Sequence, residues 1–198
     1  MWIYPFTVFM ATAAWACLHS WLAAFQTKRL FNALLGEGLD RFYRLLYNLV
    51  AVLTLLPILA MVALFPARLL WVIPMPWLVL TLLIQVFAVT ALLYSVSMIE
   101  VKVFLGWRQL SQPDAETSGK LVTSGLYRIV RHPLYMFSMI FLWLIPWMTD
   151  LLFAFVAASS LYFLIGTIPE ERKMVTIFGK DYQEYQARVP RIFPGIKF

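Results

Sequence analysis

Five long runs of apolar residues, separated by short polar connections, constrain this sequence more than any other feature. The runs cover residues 2–25, 45–65, 76–98, 132–148 and 151–168. A transmembrane helix needs about 20 consecutive apolar residues. Inside lipid, such a run satisfies its backbone polar groups by folding as a helix. The sequence therefore predicts an all-α fold, a polytopic membrane helical bundle with five transmembrane helices.

The composition supports one membrane domain over residues 1–198 and excludes several function classes. The chain is 62% hydrophobic and 13% charged, whereas a soluble domain is about 25% charged. Its basic residues lie between apolar runs and do not form one face, which excludes a nucleic-acid partner. A single cysteine, Cys17, and two histidines give neither an intrachain disulfide nor a structural zinc site.

The basic residues also predict an orientation. All of the sixteen Lys and Arg residues except Arg68 fall after the first span, after the third span or in the tail. Because positive charge marks the cytoplasmic side, we expect the N-terminus outside and the C-terminus in the cytoplasm. Thr149 and Asp150 alone separate the fourth and fifth spans, which predicts a tight hairpin. The tail after Pro169 is expected to form a cytoplasmic amphipathic helix to about Ala187.

Two polar stretches lie at the cytoplasmic ends of that hairpin. One covers residues 125–135, and the other is the acidic pair that ends the last apolar run. We predict that the hairpin brings them together. Ionisable groups at a membrane edge are costly and mark functional sites. Arginines would bind a carboxylate, glutamates an ammonium group and tyrosines a planar base, so the expected ligand is a zwitterion with a planar ring. The aromatic residues expected there are Tyr127, Tyr135, Trp143 and Tyr162.

The same residues carry a family resemblance. The pattern G-x-Y-x-x-x-R-H-P-x-Y, then E-E, then F-G-x-x-Y-x-x-Y resembles the integral-membrane methyltransferases, including isoprenylcysteine carboxyl methyltransferase and the phospholipid methyltransferases. The resemblance covers about residues 120–194. It implies that S-adenosylmethionine is bound by the second half, 120–198, and that the acceptor enters from the lipid. The cofactor-binding residues that it implies are Gly125, Tyr127, Arg131, His132, Pro133, Tyr135, Glu170 and Glu171.

The first half, 1–119, is expected to serve the acceptor. Residues 18–20, 43–48 and 104–109 are similar to methanethiol S-methyltransferase and to NnrU-like proteins. This similarity favours a small thiol as acceptor and a bacterial inner membrane as location. A thiol must become a thiolate to react. Candidate catalytic residues that would provide a cationic field for it are Arg108, Arg131 and His132.

Other functions stay open from the sequence. The acceptor could instead be an isoprenylcysteine carboxylate or a phospholipid amine. A non-enzymatic alternative is an NnrU-like membrane protein of nitrogen-oxide metabolism, or a haem carrier that uses His19 and His132. The acidic pair separates these classes, because haem does not need it. His19 also has a simple structural explanation, as a hydrogen-bonded interior histidine. Tyr182 and Tyr185 have one too, as residues that pack the tail helix.

Overall fold

The computed structural model describes residues 2–112 and 120–196. The surface loop that the sequence predicts at about 112–120 therefore lies almost wholly outside the described residues. Eight α-helices and two short strands are described. The helices are α1 (Ile3–Ala23), α2 (Phe25–Leu35), α3 (Tyr43–Leu64), α4 (Trp77–Met98), α5 (Val101–Leu105), α6 (Pro133–Trp143), α7 (Asp150–Phe178) and α8 (Lys180–Arg188), and the strands are β1 (Leu69–Val72) and β2 (Trp147–Thr149).

The prediction of an all-α polytopic bundle is confirmed. In the described part of the chain, α1, α3, α4 and α7 are long and apolar enough to cross a membrane. They correspond to four of the five predicted spans. Apolar side chains such as Leu83 and Phe87 on α4 remain exposed. An exposed apolar surface of this kind is expected where a helix faces lipid.

The fourth predicted span is shorter than expected. α6 has 11 residues and ends at Trp143, not near Met148. Pro146 explains the difference, because proline lacks the backbone N–H and disfavours helix in the residue before it. The chain after Pro146 forms β2, which pairs antiparallel with β1. The predicted two-residue connection of the hairpin is thus wrong, since residues 144–149 join the two helices.

The last long helix extends further than the apolar run. α7 has 29 residues and continues through Pro169 to Phe178, a length of about 43 Å at 1.5 Å per residue. The acidic pair therefore lies within the helix and does not end it. A break at Gly179, whose φ is 54°, separates α7 from α8. The prediction of one continuous tail helix after Pro169 is wrong for this reason.

Packing brings both ends of the chain onto α7. α1 runs along α7 and also contacts α3, whereas α6 packs mainly against α4. One core cluster joins Val8 of α1 to Leu151 and Ala154 of α7. The other joins Ala88 and Ala91 of α4 to Phe137 of α6. Since α6 begins at the end of the bundle where α7 passes its acidic pair, the two polar stretches lie side by side.

Candidate functional site

The turn that leads into α6 is held close to the end of α4. Residues Gly125–Arg128 form one 3-10 turn, and Gly125 has a φ of 55°. A Cβ atom added to Gly125 would lie 2.6 Å from Cε of Met98 and 3.1 Å from Oη of Tyr94. Gly125 therefore permits both the positive φ and the close approach. Pro133 is buried at the first turn of α6, where proline costs no helical hydrogen bond.

Arg131 and Glu171 form a buried ion pair between the two predicted stretches. Nε of Arg131 donates to Oε1 of Glu171 at 2.6 Å, and the two side chains are 4% and 7% exposed. Two charges this deeply buried are stable only when they are paired and hydrogen-bonded. The predicted meeting of residues 125–135 with the acidic pair is therefore present in the fold.

Arg131 also fastens the tail to the bundle. Its Nη1 donates to the backbone carbonyls of Gln186, at 3.0 Å, and Val189. These carbonyls lie at the end of α8, where the helix itself provides no donors. The backbone amides of Arg131 and His132 donate to the carbonyls of Pro190, at 2.9 Å, and Arg191, at 3.0 Å. The segment after α8 is thus part of the site.

His132 lies between the two carboxylates. Its Nε2 is 3.2 Å from Oε1 of Glu171, and its Nδ1 is 3.7 Å from Oε2 of Glu170. The ring stacks on Tyr135 with 5.5 Å between centroids and 6° between planes. A haem iron would have to displace one of these carboxylate contacts to bind His132. The geometry therefore favours a role for His132 in holding the acidic pair.

The two glutamates differ in accessibility. Glu171 is buried, whereas the Glu170 side chain is 38% exposed. Oε2 of Glu170 accepts a hydrogen bond of 2.8 Å from the hydroxyl of Tyr135. Tyr135 in turn stacks on Phe163 of α7, with centroids 5.1 Å apart. The Glu170 carboxylate is consequently held by Tyr135 and remains partly exposed, and a carboxylate of this kind can bind a cationic group.

A cavity of about 320 Å³ opens beside the buried pair. It lies between the second half of α7 and the tail, and volumes of roughly 300–1,000 Å³ are typical of ligand sites. Glu171 is the member of the predicted cofactor set that lines it. Oε2 of Glu171 accepts from Nε2 of Gln186 at 3.1 Å and lies 3.5 Å from Nε of Arg191. The other lining residues are Ile168, Arg172 and Val175.

Sequence reasoning missed Gln186 and Arg191. Arg191 is a basic residue that lies between two prolines, Pro190 and Pro194. Proline fixes the backbone φ and so limits the conformations that the tail can adopt. The combination of Tyr185, Gln186 and Arg191 after a helix break was a usable signal that the tail folds back.

Three tyrosines support the tail. The Tyr185 hydroxyl donates to the carbonyl of Tyr127, and Tyr182 and Tyr185 are buried, as expected for packing residues. Burial raises the pKa of both of these phenols. Burial, and then the negative charge of Glu170, raises the pKa of Tyr127 to about 12. These phenols therefore stay neutral at physiological pH.

Two predicted site residues lie elsewhere in the described structure. Arg108 pairs with Glu100 and donates to Gln112 at 3.0 Å, all in the exposed connection that follows α4. None of its described contacts reaches the acidic pair of α7. Trp143 lies at the far end of α6 from His132, where its Nε1 donates to Oγ of Ser160 at 2.9 Å. The expectation that Trp143 joins this site is wrong.

The described residues define an integral-membrane helical bundle with a buried charged cluster and an adjoining cavity at one end. The chain belongs to the family described as protein of unknown function (DUF1295), whose model matches residues 8–189. No solved structure matches the chain.

Several proteins named methanethiol S-methyltransferase are similar to part of the chain. The one from Pseudomonas deceptionensis is 40% identical over 86 residues, which are 43% of this chain and 33% of that protein. The one from Pseudomonas sp. strain GM41(2012) is 45% identical over 71 residues, 35% of this chain and 26% of that protein. Methanethiol S-methyltransferase 1 of Bradyrhizobium diazoefficiens is 35% identical over 78 residues, which are 39% of this chain and 27% of that protein. The chain thus spans about a third or less of the length of these curated relatives.

Proposed function

We propose that the protein transfers a methyl group from S-adenosylmethionine to a small thiol. The observation that carries this proposal is the buried Arg131–Glu171 pair with the reachable Glu170 and a cavity beside it. The names of the relatives, methanethiol S-methyltransferase, support a thiol as acceptor over a carboxylate or a phospholipid amine. Both ring nitrogens of His132 lie near carboxylates, which disfavours its use as a haem ligand.

The residues present fit the amino-acid end of S-adenosylmethionine. Its ammonium group requires a carboxylate, which Glu170 or Glu171 provides. Its carboxylate requires a cation, and Arg172 and Arg191 line the cavity together with Glu171. Tyr127 offers an aromatic face for the base. When bound, the cofactor supplies a methyl group that is already activated on a sulfonium sulfur.

In this proposal Arg131 and His132 act as positioning residues. Both are buried and occupied by contacts to Glu171 and the tail. They fix the carboxylate that faces the cavity and keep the tail closed over it. Methyl transfer needs donor and acceptor in line at about 3–3.5 Å with water excluded. A rigid and enclosed binding site is what these two residues supply. No contact in the described structure supports the predicted catalytic role of Arg108.

We also propose that the site lies at the cytoplasmic face of a bacterial inner membrane. The support is the distribution of Lys and Arg, because the end of the bundle that holds Arg131 also holds Arg172, Arg188 and Arg191 in the described residues. Arg68, beside β1, lies at the opposite end with Asp150. This asymmetry agrees with the positive-inside rule.

Calorimetry on protein purified in detergent tests the cofactor. The wild type should bind S-adenosylmethionine. Glu170→Gln should weaken binding at least about tenfold, because a hydrogen bond to a charged group contributes about 1.5–3 kcal/mol. The matched control is Glu184→Gln, the same chemical change at an exposed position of α8.

A labelled methyl group then identifies the acceptor. Transfer to methanethiol, and not to a phospholipid amine or an isoprenylcysteine analogue, is the expected result. A folded wild-type sample that binds no S-adenosylmethionine would refute the proposal. Equal loss of binding in Glu170→Gln and Glu184→Gln would refute the assignment of Glu170.

A further inference from the structure

A second polar cluster lies inside the first half of the chain, around His19 of α1. Nε2 of His19 is 2.6 Å from the hydroxyl of Tyr47 on α3. Nδ1 is buried and has no hydrogen-bond partner among the described residues. A buried polar atom without a partner costs about 1–3 kcal/mol. Such an atom is expected to have a hydrogen-bond partner when the ligand of the protein is bound.

The surroundings of His19 suit a small sulfur compound. Its ring stacks on Trp15 with centroids 5.0 Å apart. It lies 4.8 Å from the ring of Tyr47 and 5.9 Å from that of Tyr162, centroid to centroid. Sulfur makes favourable contacts with aromatic rings at about 5 Å. The cluster therefore combines one unpaired ring nitrogen with three aromatic surfaces.

The His19 cluster is in contact with the site described above. Tyr162 lies against His19 and against Phe163, whose ring stacks on Tyr135. The hydroxyl of Tyr135 donates to Glu170 at 2.8 Å. A short series of side-chain contacts thus links His19 to the reachable carboxylate. Methyl transfer requires that a molecule beside His19 come within about 3–3.5 Å of the methyl group of one held by Glu170.

The groups that face His19 include one cation. On α3, the guanidinium of Arg44 lies 5.5 Å from the ring centroid of Tyr47, the residue whose hydroxyl contacts His19. The titratable groups on the packed elements are the phenols of Tyr47 and Tyr162. A cation near a thiol favours the thiolate. No carboxylate contacts His19 in the described structure.

We propose that His19 binds the thiol acceptor and takes its proton on Nδ1, with Tyr47 as the positioning residue. This inference rests on the proposed function. It requires that Nε2 of His19 donate to the Tyr47 oxygen, which leaves the lone pair of Nδ1 free. The S–H bond breaks and its proton moves to Nδ1. The sulfur electron pair forms the bond to the methyl carbon as the bond from that carbon to the sulfonium sulfur breaks. The products are a thioether, the demethylated donor and an imidazolium that returns its proton to water.

The first test needs no methyl donor. Benzenethiol is titrated with base in the presence of the purified protein, and its thiolate is followed by ultraviolet absorbance. Bound to the wild type, it should ionise at a pH about one unit lower than when free, as expected for a thiol paired with a base. His19→Gln keeps a polar atom for Tyr47 but lacks a base at Nδ1, so most of the shift should be lost, and only the part due to Arg44 should remain. The control is Thr7→Ala on the same helix, an exposed residue whose hydroxyl donates to the carbonyl of Ile3.

The second test compares two acceptors. His19→Gln should lower methylation of ethanethiol by at least about 100-fold, as expected for loss of a general base. Methylation of 4-nitrobenzenethiol, which is already ionised at neutral pH, should be nearly unchanged. Tyr47→Phe should show the same preference with a smaller loss. S-adenosylmethionine binding, measured by calorimetry, should be unchanged in both variants.

The outcomes separate the two proposals. Equal losses for both thiols, or no loss in His19→Gln, would overturn the role of His19. Absence of the benzenethiol shift in the wild type would overturn it as well. A wild type that shifts benzenethiol but binds no S-adenosylmethionine would instead refute the proposed function and leave the thiol site in place.

Discussion

Replacing Arg131 by Met removes the group that joins α6, α7 and the tail. The change leaves Glu171, which is 7% exposed, without its closest cation, and it leaves the carbonyls of Gln186 and Val189 without a donor. Removing one partner of a buried pair destabilises a protein by about 3–5 kcal/mol. His132 and Arg191 remain near Glu171, so we expect the lower end of this range.

Thermal unfolding in detergent measures this loss. For a chain of 150–250 residues, 1 kcal/mol corresponds to about 2–4 °C in Tm. Arg131→Met should therefore lower Tm by about 6–12 °C. Arg188→Met is the matched control, because Arg188 is exposed and its Nε donates to a carbonyl of its own helix at 3.2 Å. Its Tm should stay within about 1–2 °C of the wild type, as for other surface changes.

A double variant distinguishes the ion pair from the tail contacts. Arg131→Met with Glu171→Leu removes both charges, and replacing a whole buried pair by apolar residues is often close to neutral. The double variant should be more stable than Arg131→Met alone. It should stay below the wild type, because the two carbonyls of the tail remain unsatisfied. A Tm for Arg131→Met equal to that of Arg188→Met would refute the assignment of Arg131 as the fastening residue.

Two further changes test the turn before α6 and the strand pair. Gly125→Ala should destabilise the protein by about 1–2 kcal/mol, the cost of a positive φ; Gly38→Ala, with no atom near its Cβ position, should not, and equal Tm values would contradict the reasoning. Asp150→Ala should cost about 1–2 kcal/mol, because Oδ1 of Asp150 accepts from the backbone N–H of Arg68 at 3.0 Å and of Leu151 at 2.9 Å. Asp150→Asn keeps an acceptor oxygen and should retain most of the Tm, whereas a loss as large as that of alanine would argue against this role.

The spanning helices were predictable because hydrophobic length decides them. The observed α1, α3 and α4 begin and end within two residues of the predicted spans. The end of α6 was not predictable from hydrophobic length, since Pro146 prevents the helix from continuing to the end of the apolar run. At Pro169 the sequence predicts the end of the last span, whereas α7 continues through it to Phe178. Proline inside a membrane helix is tolerated when neighbours replace the lost hydrogen bond, and neighbours cannot be read from the sequence.

Part of the candidate site was predictable for a similar reason. The proximity of His132 to the acidic pair follows from the order of the last two apolar helices, which any hairpin preserves. The difference between the buried Glu171 and the partly exposed Glu170 does not follow from the order of the helices. That difference depends on which face of α7 meets the tail. The position of the tail is set by the contacts of Gln186 with Glu171 and of Pro190 with Arg131, which join residues distant in sequence. The connection that holds Arg108 has no such ordering, so its catalytic role stays a prediction.

The return of the tail to Arg131 has a consequence for biosynthesis. Ribosomes make chains from the N-terminus, so Arg131 enters the nascent protein before Val189 and Pro190. The carbonyl of Val189 accepts a hydrogen bond from the Arg131 side chain, and that of Pro190 accepts one from the Arg131 backbone amide. The bundle can therefore insert while its charged end is still open. Closure waits for the last part of the described chain to emerge, which makes the integrity of that segment a condition for a finished site.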